Sequence, residues 1–386
     1  MEYQEIVHRC FRCGFCKFTE NYEAINCPSY LKSGLDTFAP GGRMWLIRAW
    51  LNEEVQNSRK YWDILYSCVT CGNCKAHCII PSLKDALLNI FEAAKAEQVS
   101  YDLVPPVVGS YFKAIQSYGN PYKEPQDKRS EWAEGTGIEA FRDQEYLFYV
   151  GDVGSYDELG KKMAKSVATL LCKSGLSIGF LGDKENSDGN DVKTLGGREL
   201  FQKLSERNIK TFRKKGIKKI ITLDPHAFHT FTYDYPKMGG DYKVWHYTQI
   251  LAGLIKEKKL PISQFNVKVT YHDSCYLGRH NSVYNAPRTL LAAIPGLELV
   301  EMSRNKANAL CCGGGGGNFF TDFLGSGGDG PASLRIKEAL DSGAEIVAVA
   351  CPMCSKMLDD AIKDQGMENR LSVQDVAEIV NQAMPS

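Results

Sequence analysis

Five cysteines in the last third of the chain have a spacing that could bind a soft metal. They form three groups, each at the end of a predicted strand: Cys275, then Cys311 with Cys312, then Cys351 with Cys354. Thiolates are the ligands that zinc and iron-sulfur clusters prefer. The second group runs directly into the glycines 313–317. The sequence therefore predicts a soft-metal or cluster site built from these three groups.

Eight more cysteines lie in two runs near the N-terminus, with three thiols at regular intervals in each run. The first run is Cys10, Cys13, Cys16 and Cys27, and the second is Cys68, Cys71, Cys74 and Cys78. In a dicluster ferredoxin, the first three thiolates of each run bind one cubane [4Fe-4S] cluster, and the fourth binds the other cluster. We therefore assign one cluster to Cys10, Cys13, Cys16 and Cys78, and the second to Cys68, Cys71, Cys74 and Cys27. A pair of zinc sites is the alternative, but tetrahedral zinc does not require such regular triplets.

Composition limits the classes of protein that fit these cysteines. The 386 residues suffice for about two or three domains. Lys and Arg number 46, as do Asp and Glu, so no general attraction to nucleic acid or to an anionic membrane is expected. No uncharged apolar run reaches the roughly 18 residues of a membrane helix, and the N-terminus lacks the apolar core of a signal peptide. We expect a cytoplasmic protein with metal or redox cofactors, since disulfide frameworks suit small secreted domains.

The pattern of the chain changes from helical to alternating strand and helix. An apolar helical pattern lies between the two cysteine runs, and Ser82 with Asp85 predicts a capping box for another helix. Arg43 lies on the first of these helices and is expected to be solvated. Residues 1–100 are therefore predicted to form an α-helical dicluster ferredoxin domain. Residues 101–145, rich in Tyr, Pro and Gly, are predicted to be a linker.

Beyond residue 145, two series of strands alternate with helices. The predicted strands are 146–150, 176–181 and 217–223 in the first series, and 267–271, 297–301 and 345–350 in the second. Alternation of this kind is typical of parallel sheets covered by helices. The sequence therefore predicts a duplicated α/β domain with parallel sheets, whose copies are residues 146–265 and 266–386.

Each cysteine of the C-terminal site has a counterpart other than cysteine in the first copy. Laying the copies over each other pairs Asp152 with Cys275, Ser187 and Asp188 with Cys311 and Cys312, and Asp224 and Ala227 with Cys351 and Cys354. An internal repeat marks a duplicated unit, so we expect the first copy to keep the fold without the cofactor. The alternative is a hard-metal site in the first copy, with candidate ligands Asp152, Asp188, Asp224, His226 and His229.

Taken together, these motifs resemble the heterodisulfide reductase D family of CCG-domain iron-sulfur proteins. The resemblance rests on the two ferredoxin runs, the cysteine pair with Gly313, and the C-P-M-C motif, and it extends over nearly the whole chain. The family includes iron-sulfur subunits of glycolate oxidase and of anaerobic glycerol-3-phosphate dehydrogenase. The resemblance implies a noncubane [4Fe-4S] cluster, besides the two cubanes, bound by Cys275, Cys311, Cys312, Cys351 and Cys354. With a single intact site, the chain is closer to DsrK-like subunits than to heterodisulfide reductases with cysteine sites in both repeats.

Residues around the implied cluster also have expected roles. Gly313, Gly314 and Gly315 are expected to bind the cluster, because they can turn backbone N–H groups toward sulfur and let a substrate sulfur approach. His272 and His280 flank Cys275 and are candidate catalytic proton donors, since reductive cleavage of a disulfide consumes protons. The alternative role of each histidine is that of a hydrogen-bond partner.

Two functions fit this arrangement. In the first, an oxidoreductase subunit collects electrons through the cubanes, and the noncubane cluster reduces or forms a disulfide of a small thiol or of a sulfur-carrier protein. In the second, the third cluster only relays electrons between a flavoprotein and a membrane partner that holds haem or quinone. Either function requires other redox subunits, and the chain would be peripheral to the membrane through its partner. We favour the first, because five thiolates beside a glycine loop indicate an open reactive site.

Overall fold

The computed structural model describes residues 1–325 and 329–385. The N-terminal part is helical, as predicted. Its helices are α1 (Gln4–Val7), α2 (Pro28–Ser33), α3 (Pro40–Leu51), α4 (Arg59–Tyr66), α5 (Asn73–His77), α6 (Pro81–Lys84) and α7 (Leu87–Ser100). Helices α2, α3 and α6 each begin with proline, whose fixed φ suits the first helical position. Met44, Ile47 and Ile90 are buried in the core between these helices.

The helix predicted to begin at Ser82 is divided in two in the structure. Pro81 starts α6, which ends at Lys84, and α7 begins only at Leu87. Neither helix has a side-chain hydrogen bond at its N-terminal cap. The predicted capping box is therefore wrong, because Pro81 takes the first helical position and places Ser82 inside the helix.

Residues 101–145 are more ordered than the predicted linker. They contain α8 (Pro106–Tyr118), a 3-10 helix (Gln126–Ala133) and the short strand β1 (Glu139–Ala140). Val108 and Ile115 on α8 are buried in the core that also holds residues of the N-terminal helices and of the first α/β copy. The aromatic and proline content suggested a surface segment, whereas the apolar stripe of α8 packs between the two parts.

Each α/β copy contains one parallel sheet. The first copy has β2 (Tyr146–Tyr149), α9 (Gly151–Tyr156), α10 (Glu158–Lys173), β3 (Ile178–Phe180), α11 (Asn190–Thr194), α12 (Arg198–Lys214), β4 (Lys219–Thr222), α13 (Pro225–His229), β5 (Lys243–His246) and α14 (Tyr247–Lys256). The second has β6 (Val267–Tyr271), α15 (Asn285–Ala292), β7 (Leu297–Val300), α16 (Asn318–Thr321), α17 (Pro331–Asp341), β8 (Ile346–Val349), α18 (Pro352–Asp364), β9 (Ser372–Asp375) and α19 (Val376–Gln382). The strand orders are β1-β3-β2-β4-β5 and β7-β6-β8-β9.

The two sheets have the same topology apart from β1, which confirms the predicted duplication of a parallel α/β unit. Equivalent pairs in the central strands are Phe148 with Ile221 and Tyr271 with Ala348. Counting onward from these pairs brings Asp152 level with Cys275 and Asp224 level with Cys351. The loops after the first and third strands of each copy therefore meet at one end of each sheet, where functional groups of parallel sheets gather. No helix in the described ranges is both long and apolar enough to span a membrane.

Candidate iron-sulfur sites

The first N-terminal cysteine set lies at the surface of the helical module. Cys10 interacts electrostatically with Cys13 and Cys78, and Cys16 interacts with Cys10 and Cys78. Burial raises the pKa of Cys16 to about 12, a cost that metal binding by the thiolate would offset. Cys13 is exposed, whereas the other thiols of both runs are buried or half-buried. The structure thus brings together the four thiols assigned to one cubane, with one edge of the set toward solvent.

The second set is enclosed. Cys27, at the N-terminus of α2, lies among the thiols of Cys68, Cys71 and Cys74. Together with Cys16 of the first set, these four thiols line one cavity, whose exposed surface is mostly apolar and which Arg43 also lines. Four buried thiols around a closed space suit a cubane cluster, because sulfur ligands and a dry surround are what such clusters require. The fourth cysteine of each run lies with the opposite triplet, the exchange typical of dicluster ferredoxins.

Two buried asparagines make hydrogen bonds that link these sets. Asn73 Nδ2 donates to the carbonyls of Cys16 and Phe18 at 3.1 and 3.0 Å. Asn26 Nδ2 donates to Asn73 Oδ1 at 2.7 Å and to the carbonyl of Asn308 at 3.0 Å. The amides therefore connect both cysteine runs to the loop that precedes Cys311 in the second α/β copy.

The C-terminal site is built by three loops of the second copy. Cys275 follows β6, Cys311 and Cys312 precede the glycine loop, and Cys351 caps α18 with Cys354 in its first turn. The Sγ atoms of Cys275 and Cys311 are 3.7 Å apart, and those of Cys312 and Cys354 are 3.3 Å apart. All five thiols are at most 5 % exposed. Five buried thiols in mutual contact fit a multi-iron cluster better than a tetrahedral zinc ion, which takes four ligands.

Charged and imidazole groups surround the five thiols. Burial disfavours ionisation of Cys351, but hydrogen bonds from Cys354 and His226 bring its pKa down to about 7. His226 belongs to α13 of the first copy, and its Nδ1 lies 2.8 Å from Asp224 Oδ1. The first copy therefore supplies part of the wall of the second copy's site. Spacing along the chain gave no indication of this approach; the repeat alignment only made Asp224 and His226 candidates for a separate metal.

The two predicted histidines occupy different positions. His272 lies against Cys312 and Cys354, with ligand atoms within 4.8 Å of each other, and its Nδ1 accepts a hydrogen bond from Arg335 Nε at 3.1 Å. The His272 proton is therefore on Nε2. His280 lies instead beside the second cysteine run, with Nε2 at 2.8 Å from the carbonyl of Thr70. A proton-donating role stays a prediction for both, with the geometry closer to it at His272.

The glycine loop packs directly on the second cysteine run. Gly313 has φ of 95°, a left-handed conformation that favours glycine. A Cβ atom at Gly315 would lie 2.7 Å from the carbonyl oxygen of Val69, and one at Gly316 would lie 2.6 Å from that of Cys68. The loop thus needs glycine for close backbone approach to the N-terminal module, a role that the sequence did not reveal.

The five cysteines of the C-terminal site form the third cysteine set. The second and third sets meet at Cys71 and Cys311. Their thiols are within hydrogen-bonding reach of each other. Arg279 ties the same region together: its Nε donates to the carbonyl of Cys71 at 2.7 Å, and its Nη1 donates to those of Ala307 and Ala309 at 3.1 and 2.6 Å. The three thiol sets therefore form one continuous row from the surface to the interior.

In the first copy, an ion network occupies the place of the cysteine site. Arg129, from the 3-10 helix before the first copy, donates to Asp152 at 2.8 Å and lies 3.2 Å from Glu185. A cavity of about 20 Å³ remains beside it, and its lining includes the aspartates Asp152, Asp188, Asp191 and Asp224. Burial raises the pKa of Asp188 to about 8.

The hard-metal alternative for the first copy requires its five candidate ligands to converge. Within the described ranges, the metal-compatible set that includes Asp224 and His226 is completed by Cys351, not by Asp152 or Asp188. His229 points elsewhere, with its Nδ1 at 3.4 Å from Asn281 Oδ1. The five side chains are therefore not arranged as one metal site.

The domains that carry these thiols match known families of iron-sulfur and cysteine-rich domains. Residues 148–232 and 269–359 match the cysteine-rich domain family (CCG), once for each α/β copy, and residues 6–80 match the 4Fe-4S dicluster domain. The fold also resembles that of a hypothetical protein from Helicobacter pylori, with a TM-score of 0.53 at 11% identity over 93% of this chain and 70% of that one. This likeness concerns the fold alone.

Several curated proteins are similar over most of the chain. The probable iron-sulfur-binding oxidoreductase FadF of Bacillus subtilis is 36% identical over 83% of this chain and 46% of its own length. The EtfAB:quinone oxidoreductase of Syntrophomonas wolfei is 32% identical over 97% of this chain and 58% of its own length. This chain thus spans about half the length of these two relatives.

A third relative matches from end to end. Heterodisulfide reductase D of Methanosarcina barkeri, one component of the dihydromethanophenazine:CoB–CoM heterodisulfide reductase, is 30% identical over 97% of this chain and 93% of its own length. The similarity covers the dicluster domain and both cysteine-rich domains. The chain therefore belongs to the CCG-domain iron-sulfur oxidoreductases that include heterodisulfide reductase D.

Proposed function

We propose that the chain carries electrons through two cubane [4Fe-4S] clusters to a noncubane [4Fe-4S] cluster, which reduces or forms a disulfide. The cubane ligands are those assigned from the cysteine runs, and Cys275, Cys311, Cys312, Cys351 and Cys354 bind the third cluster. The observation that carries the proposal is the junction of the second and third sets: Cys71 and Cys311 lie in one buried cluster, and Arg279 donates to the carbonyls of Cys71 and Ala309. Clusters of this kind accept and donate single electrons when bound.

Imidazoles beside the third site favour disulfide chemistry over electron transfer alone. Cleaving a disulfide to two thiols takes an electron pair and two protons. His272 lies against Cys312 and Cys354, and His226 lies against Cys351. The Gly313 backbone N–H donates to Cys311 Sγ at 3.4 Å. A relay of electrons needs none of these proton-holding groups.

The proposed partners are other redox proteins, as expected from the thiol sets. A flavoprotein is the proposed donor or acceptor at the exposed edge near Cys13, because that edge is where the row of thiols reaches solvent. A membrane protein that holds haem or quinone is the proposed partner on the other side of the electron path. A small thiol compound or a sulfur-carrier protein is the proposed substrate, and the chain is expected to act in the cytoplasm, peripheral to the membrane through its partner.

A pure relay is the second candidate function, and the burial of the third site favours it. The five thiols are at most 5 % exposed, although an open reactive site was expected. The relatives include a quinone oxidoreductase as well as heterodisulfide reductases. In this candidate, electrons leave the third cluster for a quinone-linked partner without bond cleavage.

EPR spectroscopy on anaerobically purified protein separates the two functions. If the third cluster acts on sulfur, added thiols should induce a new paramagnetic signal in the oxidised protein. Absence of that signal with every thiol tested would favour the relay.

Iron content tests the third site itself. The wild-type chain should hold about 12 iron atoms, and the Cys312→Ala variant about 8, because one four-iron cluster is lost. Cys172→Ala is the matched control, since this thiol lies outside all three sets and should leave the iron unchanged. A Cys312→Ala variant with full iron and full activity would exclude the assignment.

A further inference from the structure

Lys95 on α7 is a buried ammonium group without a counter-ion. Its side chain is 1 % exposed, and its Nζ has no hydrogen-bond partner among the described residues. Lysine is almost never fully buried unless it is paired, since an uncompensated charge in the interior is costly. The ring of Tyr66, 5.2 Å from Nζ, makes a cation-π contact with it. The protein therefore has a reason to hold positive charge at this position.

The carboxylates nearest to Lys95 are already engaged. Glu92 Oε1 lies 3.5 Å from Lys193 Nζ, and Asp191 Oδ1 accepts a hydrogen bond from the Gly317 amide at 3.0 Å. Burial lowers the pKa of Lys95 to about 8, and the strongest opposing interaction is with Cys68. Tyr66, whose ring Lys95 contacts, lies two residues before Cys68, so a thiol of the second cysteine set remains as the negative group near Lys95.

Arg43 is a second buried cation at this set, contrary to the expectation of a solvated side chain. It is 1 % exposed and lines the cavity of the second set. Its Nε donates to the carbonyl of Ile64, and its Nη2 donates to Ser29 and Ser67, each at 2.8 Å. All three acceptors are neutral, so its charge also remains without a carboxylate.

The cations at the first cysteine set are exposed or paired, unlike Lys95 and Arg43. Arg12, between Cys10 and Cys13, is exposed, so solvent screens its charge. Lys17, next to Cys16, lies 2.5 Å from Asp36 Oδ1, and this carboxylate cancels its charge. Adding an electron to a thiolate-bound cluster adds negative charge, which burial opposes and nearby cations favour. Burial opposes reduction of the second set, and Lys95 and Arg43 favour it, together with Arg279 beside Cys71.

We propose that Lys95, together with Arg43, raises the midpoint potential of the second cubane cluster, so that an electron from the first cluster is held beside Cys311. This rests on the proposed function, because it requires a cubane at Cys27, Cys68 and their partners. Lys95 acts as a positioning charge and touches no substrate. The electron comes from the redox partner and, in the test, from a chemical reductant.

The test is an EPR-monitored redox titration of the anaerobically purified full chain. In Lys95→Met, one of the two cubane reduction steps should shift to lower potential while the other stays at its wild-type value. Lys95→Arg keeps the charge and should restore the shifted step. Lys113→Met removes an exposed lysine on α8 and should move neither step.

The iron content of the wild type and of each variant distinguishes failure of the proposal from failure of the proposed function. A Lys95→Met protein with wild-type iron and two unshifted steps would overturn the proposal. Loss of iron in both Lys95→Met and Lys95→Arg would assign Lys95 a structural role and would overturn it too. If the wild type itself holds too little iron for two cubanes, the proposed function fails instead, and the role of Lys95 fails with it.

Discussion

Replacing Arg129 with methionine should destabilise the first α/β copy without touching any thiol set. Arg129 is 1 % exposed and bridges Asp152 and Glu185, which are also buried or nearly so. Removing one partner of a buried ion pair leaves an uncompensated charge and costs about 3–5 kcal/mol. We expect a loss of unfolding free energy in this range at about pH 8.

The loss of unfolding free energy in Arg129→Met should depend on pH. Burial raises the pKa of Glu185, opposed chiefly by Arg129. Without Arg129 this pKa rises further, so the folded variant binds a proton that the unfolded chain releases. A carboxyl with a raised folded pKa contributes stability at low pH and loses it as pH rises. The deficit of Arg129→Met relative to wild type should therefore be smaller at about pH 5 than at about pH 8.

Anaerobic urea unfolding, followed by far-ultraviolet circular dichroism, measures both effects. Lys128→Met is the matched control: its partner Glu124 is exposed, and surface pairs contribute only about 0–1 kcal/mol. Adding Glu185→Gln to Arg129→Met should recover part of the loss, because it removes one uncompensated charge. Equal losses for Arg129→Met and Lys128→Met, or a deficit unchanged between the two pH values, would refute the reasoning.

Two further predictions concern the junction between the N-terminal module and the second copy. Gly316→Ala should lower the free energy of unfolding by about 1–3 kcal/mol and lower the iron content, because its Cβ would lie 2.6 Å from the Cys68 carbonyl oxygen. Gly366→Ala is the control, since Gly366 has a similar positive φ but open space around it. This variant should keep all its iron. Equal iron in both variants would contradict the close packing. Arg279→Met removes three hydrogen bonds to carbonyls and should cost about 2–4 kcal/mol in urea unfolding, whereas Lys306→Met, at an exposed neighbour, should cost little. Similar midpoints for these two variants would argue against the bridge.

Local chemistry explains what could be predicted from the sequence. Ligand spacing within a run is set by the cluster, so the grouping of Cys10 with Cys78 and of Cys27 with Cys68 could be inferred from intervals alone. Strand β6 (Val267–Tyr271) is central and has apolar residues at every second position, and its prediction has the observed bounds. The edge strands β5 (Lys243–His246) and β9 (Ser372–Asp375) were missed because they carry polar residues, whereas the edge strand β7 was predicted.

Contacts between distant segments could not be predicted in the same way. No interval in the chain indicates that His226 of the first copy reaches Cys351 of the second, or that Lys95 faces Cys68. Arg43 was expected in solvent because arginine usually is, and only the packed helices show that it is enclosed. The third site was expected to be open because five thiolates stand beside a glycine loop. In the structure, the glycines instead allow two backbones to touch.

The contact of Gly315 and Gly316 with Val69 and Cys68 bears on how the protein matures. A loop that belongs to the third cysteine set completes the wall around the second, so we expect both sets to receive iron before this junction closes. Delivery should therefore run outward, with the two enclosed sites filled before the junction closes. The set containing Cys13 stays reachable from solvent and should be the last to acquire iron and the first to lose it to a chelator.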